Sequence, residues 1–247
     1  MAELSGEQTV QAADTILHDV GTAWMIHDDT RARAEAHGYT KAQPFYFAGR
    51  GGVLGDVDAG VVIAAFGWWH PGYVRLMWDR GLAVAGARES ARRYQQACAD
   101  WAGDHLTGFA DADRLSDLAQ KVVDGAEESG LPLFAGWRAE PRADGGAARM
   151  LQLVHVLREW RGAVHLVATT AAGLAPLEAI LTNEGPNQAR FFGWRGDLPA
   201  CDHLKDRHVL AQETTDRLVS SVYERALTPA ERAEFAELVG RLGAAVL

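Results

Sequence analysis

The chain is 247 residues long, 48% apolar and 23% charged, with a formal net charge of −9. Those are the proportions of a globular protein with length for one large domain or two small fused ones, and they exclude collagen-like and low-complexity chains. The acidic total repels phosphate backbones at long range, so binding nucleic acid would need a local basic patch.

Helical periodicity begins almost at once. Residues 7–20 put Val10, Ala13, Ile16, Leu17 and Val20 on one face, and a second helix is expected over 22–37 with Gly38 past its end. Residues 39–56 read as a glycine-rich connection. Asp56 or Asp58 can cap a helix over 59–67, and Pro71 suits the first turn of another over 71–79. Further helices are expected over 84–106 and 112–128, with a short piece after Pro132. The turn-rich segment 141–147 (PRADGGA) is the best linker, dividing the chain into 1–140 and 141–247. Helices then follow over 147–160, 162–172, 175–183, 199–208, 211–226 and 229–245, the last opened by Thr228-Pro229. The β-leaning runs are short, so the expected fold is mostly α.

Cys98 and Cys201 form no CxxC pair, and residues 1–17 lack the basic flank and apolar block of a secretory signal. No run approaches the roughly 18 apolar residues of a membrane span. The expectation is a cytoplasmic protein with two reduced thiols and no membrane partner.

One stretch is chemically dense. Phe45 to Trp78 holds eight aromatic rings, His70, two arginines and two aspartates, the mixture of apolar walls and polar tips that an organic-ligand pocket needs. Tyr46 and Arg50 are four apart and share a face if helical; they read either as a clamp for a carboxylate or enolate, or as a structural arginine paired to Asp56 or Asp58 and holding the glycine turn. His70 reads as a general base, an axial haem ligand or a helix-end cap. Trp68, Trp69, Tyr73 and Trp78 read as ligand walls or as core, and Trp137 carries the same ambiguity. Arg161 and His165 project together from a second RG-centred helix, with Glu159 near enough to neutralise the arginine. Gly49-x-Gly51-Gly52 lacks phosphate-loop spacing. Asp202, His203, Asp206 and His208 do not converge on a helix, and no zinc or calcium motif is present, so no metal is expected. No cofactor motif appears either; haem at His70 stays open.

The halves echo each other weakly: Arg50-Gly51, Leu54-Gly55, an apolar helix and Gly72-Tyr73-Val74-Arg75 in the first, then Arg161-Gly162, Gly173-Leu174, an apolar helix and Gly185-Pro186 leading to Arg190. Two tandem similar halves, packed as a pseudo-dimer, would produce that echo. The pieces 44–62 (PFYFAGRGGVLGDVDAGVV) and 157–181 (LREWRGAVHLVATTAAGLAPLEAIL) resemble an actinobacterial helix-turn-helix-labelled family of unclear function, distantly similar to MarR-type winged-helix proteins. The resemblance spans roughly 40–245 and implies a winged-helix-related helical bundle. Trp160 and Ala163 depart from it, standing where a histidine and an aspartate are common. A reading helix at 198–208 would be locally neutral, and 209–212 leave little room for a wing, so DNA is not the expected partner.

The expectation is therefore a protein, monomer or homodimer, that binds a small hydrophobic or aromatic molecule in an aromatic cavity. Arg50 and Arg161 would supply positive charge, Tyr46 and His70 hydrogen bonds, and the tryptophans walls, with Tyr73 and His165 also among the ligand-binding residues. A cofactor-independent enzyme of specialised metabolism (an isomerase, cyclase or hydrolase), with His70 as base, Tyr46 as acid and Arg50 as charge stabiliser, is the alternative. A ligand-responsive regulator is the second alternative.

Overall fold

The structure is a computed structural model that describes residues 3–247. Among the described residues it holds thirteen α-helices, two 3-10 turns and no strand, so the mostly-α expectation is met and there is no β-wing. The helices are α1 (Gly6–Ile26), α2 (Asp28–Ala36), α3 (Ala42–Gly51), α4 (Ala59–Phe66), α5 (Pro71–Leu82), α6 (Ala87–His105), α7 (Ala112–Gly125), α8 (Pro132–Ala139), α9 (Gly146–Ala171), α10 (Pro176–Asn183), α11 (Pro186–Phe191), α12 (Lys205–Ala226) and α13 (Pro229–Val246). No single helix among them is long and apolar enough to cross a membrane.

Several ends are written locally. Thr228 and Glu231 form a reciprocal capping box at α13, and Ser5 with Gln8 does the same at α1. Pro71 occupies the first turn of α5, and Gly38, at φ 89°, follows α2. Asp58 stands at the N-cap of α4 without a side-chain cap bond.

Four elements differ from the sequence expectation, the first two for a packing reason. Helix α1 runs on to Ile26 because Gly21 faces Arg158, where an added Cβ would come within 2.7 Å of that side chain. The supposed connection 39–56 contains α3. Its glycines serve close approach rather than turning: Gly49 sits against the Tyr94 ring, Gly51 against Trp78 and Gly52 against the Ala87 carbonyl. Only Gly55, at φ 81°, is in a left-handed turn there. The pieces expected at 147–160 and 162–172 are one 26-residue helix, α9, unbroken by Gly162. The segment expected as a helix over 199–208 has no helix before the 3-10 turn Asp202–Leu204, and α12 starts at Lys205.

Helix α9 is the spine. It packs against α1, α6, α7, α8 and α12, and most of its residues from Met150 to Trp160 are buried. The packing around it pairs off: α1 lies along α12 and α13, while α9 lies along α6 and α7. Trp160 is core, against Phe134 and Tyr223.

Candidate functional site

Helix α9 threads its polar side chains through the protein interior. His155 and Glu159, four apart, share a face, and Arg158, Arg161 and His165 follow around the helix. Glu159 is the electrostatic centre. Arg50 donates from Nε to its Oε1 and from Nη2 to its Oε2, both at 2.8 Å, and Arg158 donates from Nη1 to Oε1 at 3.1 Å. Burial alone would push the Glu159 carboxyl up; the Arg50 guanidinium and its hydrogen bonds, helped by Arg158, overcome that and hold it at about 2. Burial likewise opposes the charge on Arg50, and Glu159 overcomes it and keeps the guanidinium protonated.

Tyr46 and Arg50 do share a face of α3. Arg50 Nη1 donates to the Tyr46 hydroxyl at 3.0 Å, and its guanidinium lies 4.4 Å from the Phe66 ring centroid. Trp137 Nε1 donates to the Arg50 carbonyl. The remaining aromatics of 45–78 pack largely on each other. Phe47 stacks on Phe66, Trp69 stacks on Tyr73, and Trp69 also meets Phe191 and Phe192. Trp78 is buried against Gly51. His70 is the N-cap of α5, where Nδ1 accepts from the Gly72 amide at 3.1 Å while the ring edge meets Trp194.

Two hollows flank α9, and these residues contribute little to them. The first, about 10 Å³, is lined by Trp24, Tyr94, Gln95, Cys98, Trp137, Arg142, Gln152, His155 and Val156. That is room for about one water. The second, about 30 Å³, lies among Asp14, Leu17, His18, Leu157, Arg158, Arg161, Gly162 and Tyr223. Trp137 reaches the first and Arg161 the second. Tyr46, Arg50, Trp68, Trp69, His70, Tyr73, Trp78 and His165 line neither.

The first hollow has an unusual lining. Trp24 Nε1, the Tyr94 hydroxyl and both His155 ring nitrogens are buried and have no hydrogen-bond partner among the described residues. Their rings surround the same space: Trp24 lies 4.7 Å from Tyr94 and 5.6 Å from His155, and Trp137 lies 4.5 Å from His155, centroid to centroid. Burial lowers His155 to about 3, with Arg158 and Arg50 adding to it against Glu159, so the imidazole is neutral near pH 7. Over the mouth, Gln95 Nε2 donates to the Pro141 carbonyl and the Ala143 amide donates to Gln152 Oε1 at 2.8 Å. The segment carrying Pro141 and Ala143 thus covers the chamber.

In the second hollow Asp14 is the buried acid. Arg161 Nε donates to Oδ2 at 2.8 Å and the Tyr223 hydroxyl to Oδ1 at 2.9 Å. Burial outweighs both and pushes Asp14 up to about 6. His165, pushed down to about 4 by burial and by Arg161, meets the Thr215 hydroxyl at 2.9 Å and lies under Trp68.

Two short helices joined by a tight turn follow α9. Helices α10 and α11 are joined through Glu184 and Gly185, whose φ is 82° and whose amide donates to the Ile180 carbonyl at 2.9 Å. A model of a helix-turn-helix family matches residues 10–247. The chain belongs to that family. No curated protein and no solved structure matches the chain. Within this family member, α4 and α5 form a second such pair, and α5 touches the end of α11: the His70 amide donates to the Phe192 carbonyl at 2.9 Å, and Tyr73 lies against Gly193.

Sequence reasoning missed Trp24, Tyr94, His155, Asp14 and Tyr223. The available signal was His155 in the otherwise apolar run LVHVL, a polar residue at a core position of its helix. Nothing local pointed to Asp14, whose arginine lies 147 residues away.

Proposed function

We propose that this helix-turn-helix family member binds a small aromatic organic molecule in the chamber around His155. The observation that carries the reading is that Trp24, Tyr94 and His155, three buried rings lining one hollow, carry four polar atoms without a hydrogen-bond partner among the described residues. Buried donors and acceptors left unpaired cost about 1–3 kcal/mol each, and sites of this type persist where something else supplies the partner. Trp24, Tyr94 and Trp137 give flat apolar walls, while Trp24 Nε1, the Tyr94 hydroxyl and the neutral His155 offer donors and an acceptor for a heteroatom. At its present size the chamber admits only a water-sized guest. An organic ligand enters when the Gln95–Pro141 and Gln152–Ala143 bonds release the segment above it. Titration with small phenols and indoles tests this: saturable tryptophan quenching is expected, and its loss in His155→Leu distinguishes the chamber from surface adsorption.

A second reading, a ligand-responsive regulator, is favoured by one surface. Arg75, Arg80, Arg190 and Arg195 are exposed on or beside α5 and α11 and make no ion pair among the described residues. Asn187 and Gln188 sit on α11 beside them. This is the residue set that meets phosphates and base edges. Gel shifts on DNA upstream of the gene, with affinity falling steeply as salt rises, would support it; salt-independent or absent binding would not.

The packing of α1 on α12 and α13, matched by α9 on α6 and α7, supports reading the chain as two tandem similar halves in a pseudo-dimer related to winged-helix proteins.

A further inference from the structure

Three residues past Trp24 of the first hollow, at the joint where α1 and α2 meet the end of α6, three metal-ligating side chains come together. His27 is at once the last cap of α1 and the first cap of α2, Asp29 lies in the first turn of α2, and His105 ends α6. One ligand atom from each lies within 4.8 Å of the other two. His105 Nε2 is 2.8 Å from Asp29 Oδ2, and His27 Nδ1 is 3.5 Å from the same oxygen. The two imidazoles meet edge to face at 4.7 Å, and His105 is stacked on Trp101 at 4.5 Å.

One feature of the cluster is unfavourable without a cation. The Asp29 amide donates to His27 Nδ1 at 3.2 Å, so in the neutral ring that nitrogen carries its lone pair. The same lone pair faces the Asp29 carboxylate, acceptor against acceptor. A positive centre between them removes the repulsion. Other nearby carboxylates are already taken: Arg33 pairs with Asp100 and Asp104, and Arg31 with Asp28. What remains is a set of two nitrogens and one oxygen. In a tetrahedral zinc site, with metal–ligand bonds near 2.0–2.1 Å, ligand atoms are spaced about 3.3 Å apart, and the 2.8 and 3.5 Å separations bracket that value.

We propose that His27, Asp29 and His105 bind a divalent transition-metal ion of the zinc type, with the remaining position open to water. Two imidazoles and a carboxylate suit Zn²⁺ over Mg²⁺ or Ca²⁺, which prefer all-oxygen shells. The ion would tie the α1–α2 joint to the end of α6, with the long cap bond to His27 Nδ1 exchanged for a metal bond. Sequence spacing hid the site because His105 lies 76 residues from Asp29.

The test is calorimetric titration of tag-free, full-length protein with ZnCl₂, alongside His105→Ala, Asp29→Asn and a His203→Ala control. One equivalent bound at micromolar strength or tighter is expected, weakened at least tenfold in His105→Ala and Asp29→Asn and unchanged in His203→Ala. Circular dichroism checks that each variant is folded, and Ni²⁺ quenching of Trp101, read as the difference from Trp101→Phe, reports the location. Binding that survives both ligand variants, binding lost in His203→Ala, or no uptake at micromolar zinc overturns the proposal.

Discussion

Arg50 and Glu159 lie 109 residues apart in sequence and close a two-pronged ion pair in the interior, each prong 2.8 Å long. The pair joins α3, the helix of the RG motif, to α9, the spine. It also fixes what Arg50 can do: its Nε and Nη2 are spent on Glu159, and Nη1 on Tyr46.

Removing one partner should be far worse than removing both. Glu159→Gln leaves Arg50 and Arg158 in a buried place without their counter-charge, with an expected loss of about 3–5 kcal/mol. Arg50→Met with Glu159→Met should recover a large part of it, because apolar replacements of similar volume often match a buried ion pair. Urea denaturation of the two variants beside the unaltered protein measures this. Equal loss in the single and double variants would mean that packing, not charge, sets the cost.

Stability should fall on the acid side in steps set by α9. His155 and His165 have folded values pushed below the ordinary 6.5, to about 3 and about 4. A depressed histidine contributes stability that is complete above about 6.5 and is lost as pH falls toward the folded value. Glu159, held at about 2, adds a loss between about 4.5 and 2. Asp14 has the opposite sign: raised to about 6, its contribution is complete below about 3.8 and fades as pH rises through 6. With two imidazoles against one carboxyl, midpoint urea concentrations should drop between pH 6.5 and 4, and His155→Phe should flatten the drop.

His70 offers a cleaner discrimination. It caps α5 through Nδ1, so His70→Ala should cost about 1 kcal/mol and His70→Asn, which can cap, much less. Any turnover found for this protein that vanishes in both variants would instead give His70 a chemical task.

Gly81 lets α5 meet α3. A Cβ there would come within 2.4 Å of the Ala48 Cβ and 2.5 Å of the Pro44 carbonyl oxygen. Gly81→Ala should therefore destabilise by about 1–3 kcal/mol despite its better helix propensity. Gly60→Ala, with open space around it, should be neutral or stabilising.

What could be read from the sequence was what local chemistry dictates. Thr228-Pro229 announced α13, Pro71 announced α5, and the Tyr46–Arg50 spacing announced a shared face. What could not be read depended on partners distant in the chain. Gly49, Gly51 and Gly52 look like a loop until Tyr94, Trp78 and Ala87 are seen against them. Glu159 looks like a neighbour for Arg161 until Arg50 arrives to claim it and Asp14 takes Arg161. The aromatic run 45–78 looks like a pocket wall, and in the fold most of its rings are one another's neighbours.

The central claim is that the chamber around His155 takes up an aromatic guest. Native mass spectrometry of protein purified from its own host, beside His155→Leu combined with Tyr94→Phe, tests it most directly. A small-molecule adduct on the unaltered protein that is absent from the folded double variant is the expected result. An adduct of equal occupancy on both, or none on either even after incubation with aromatic metabolite extract, would contradict it.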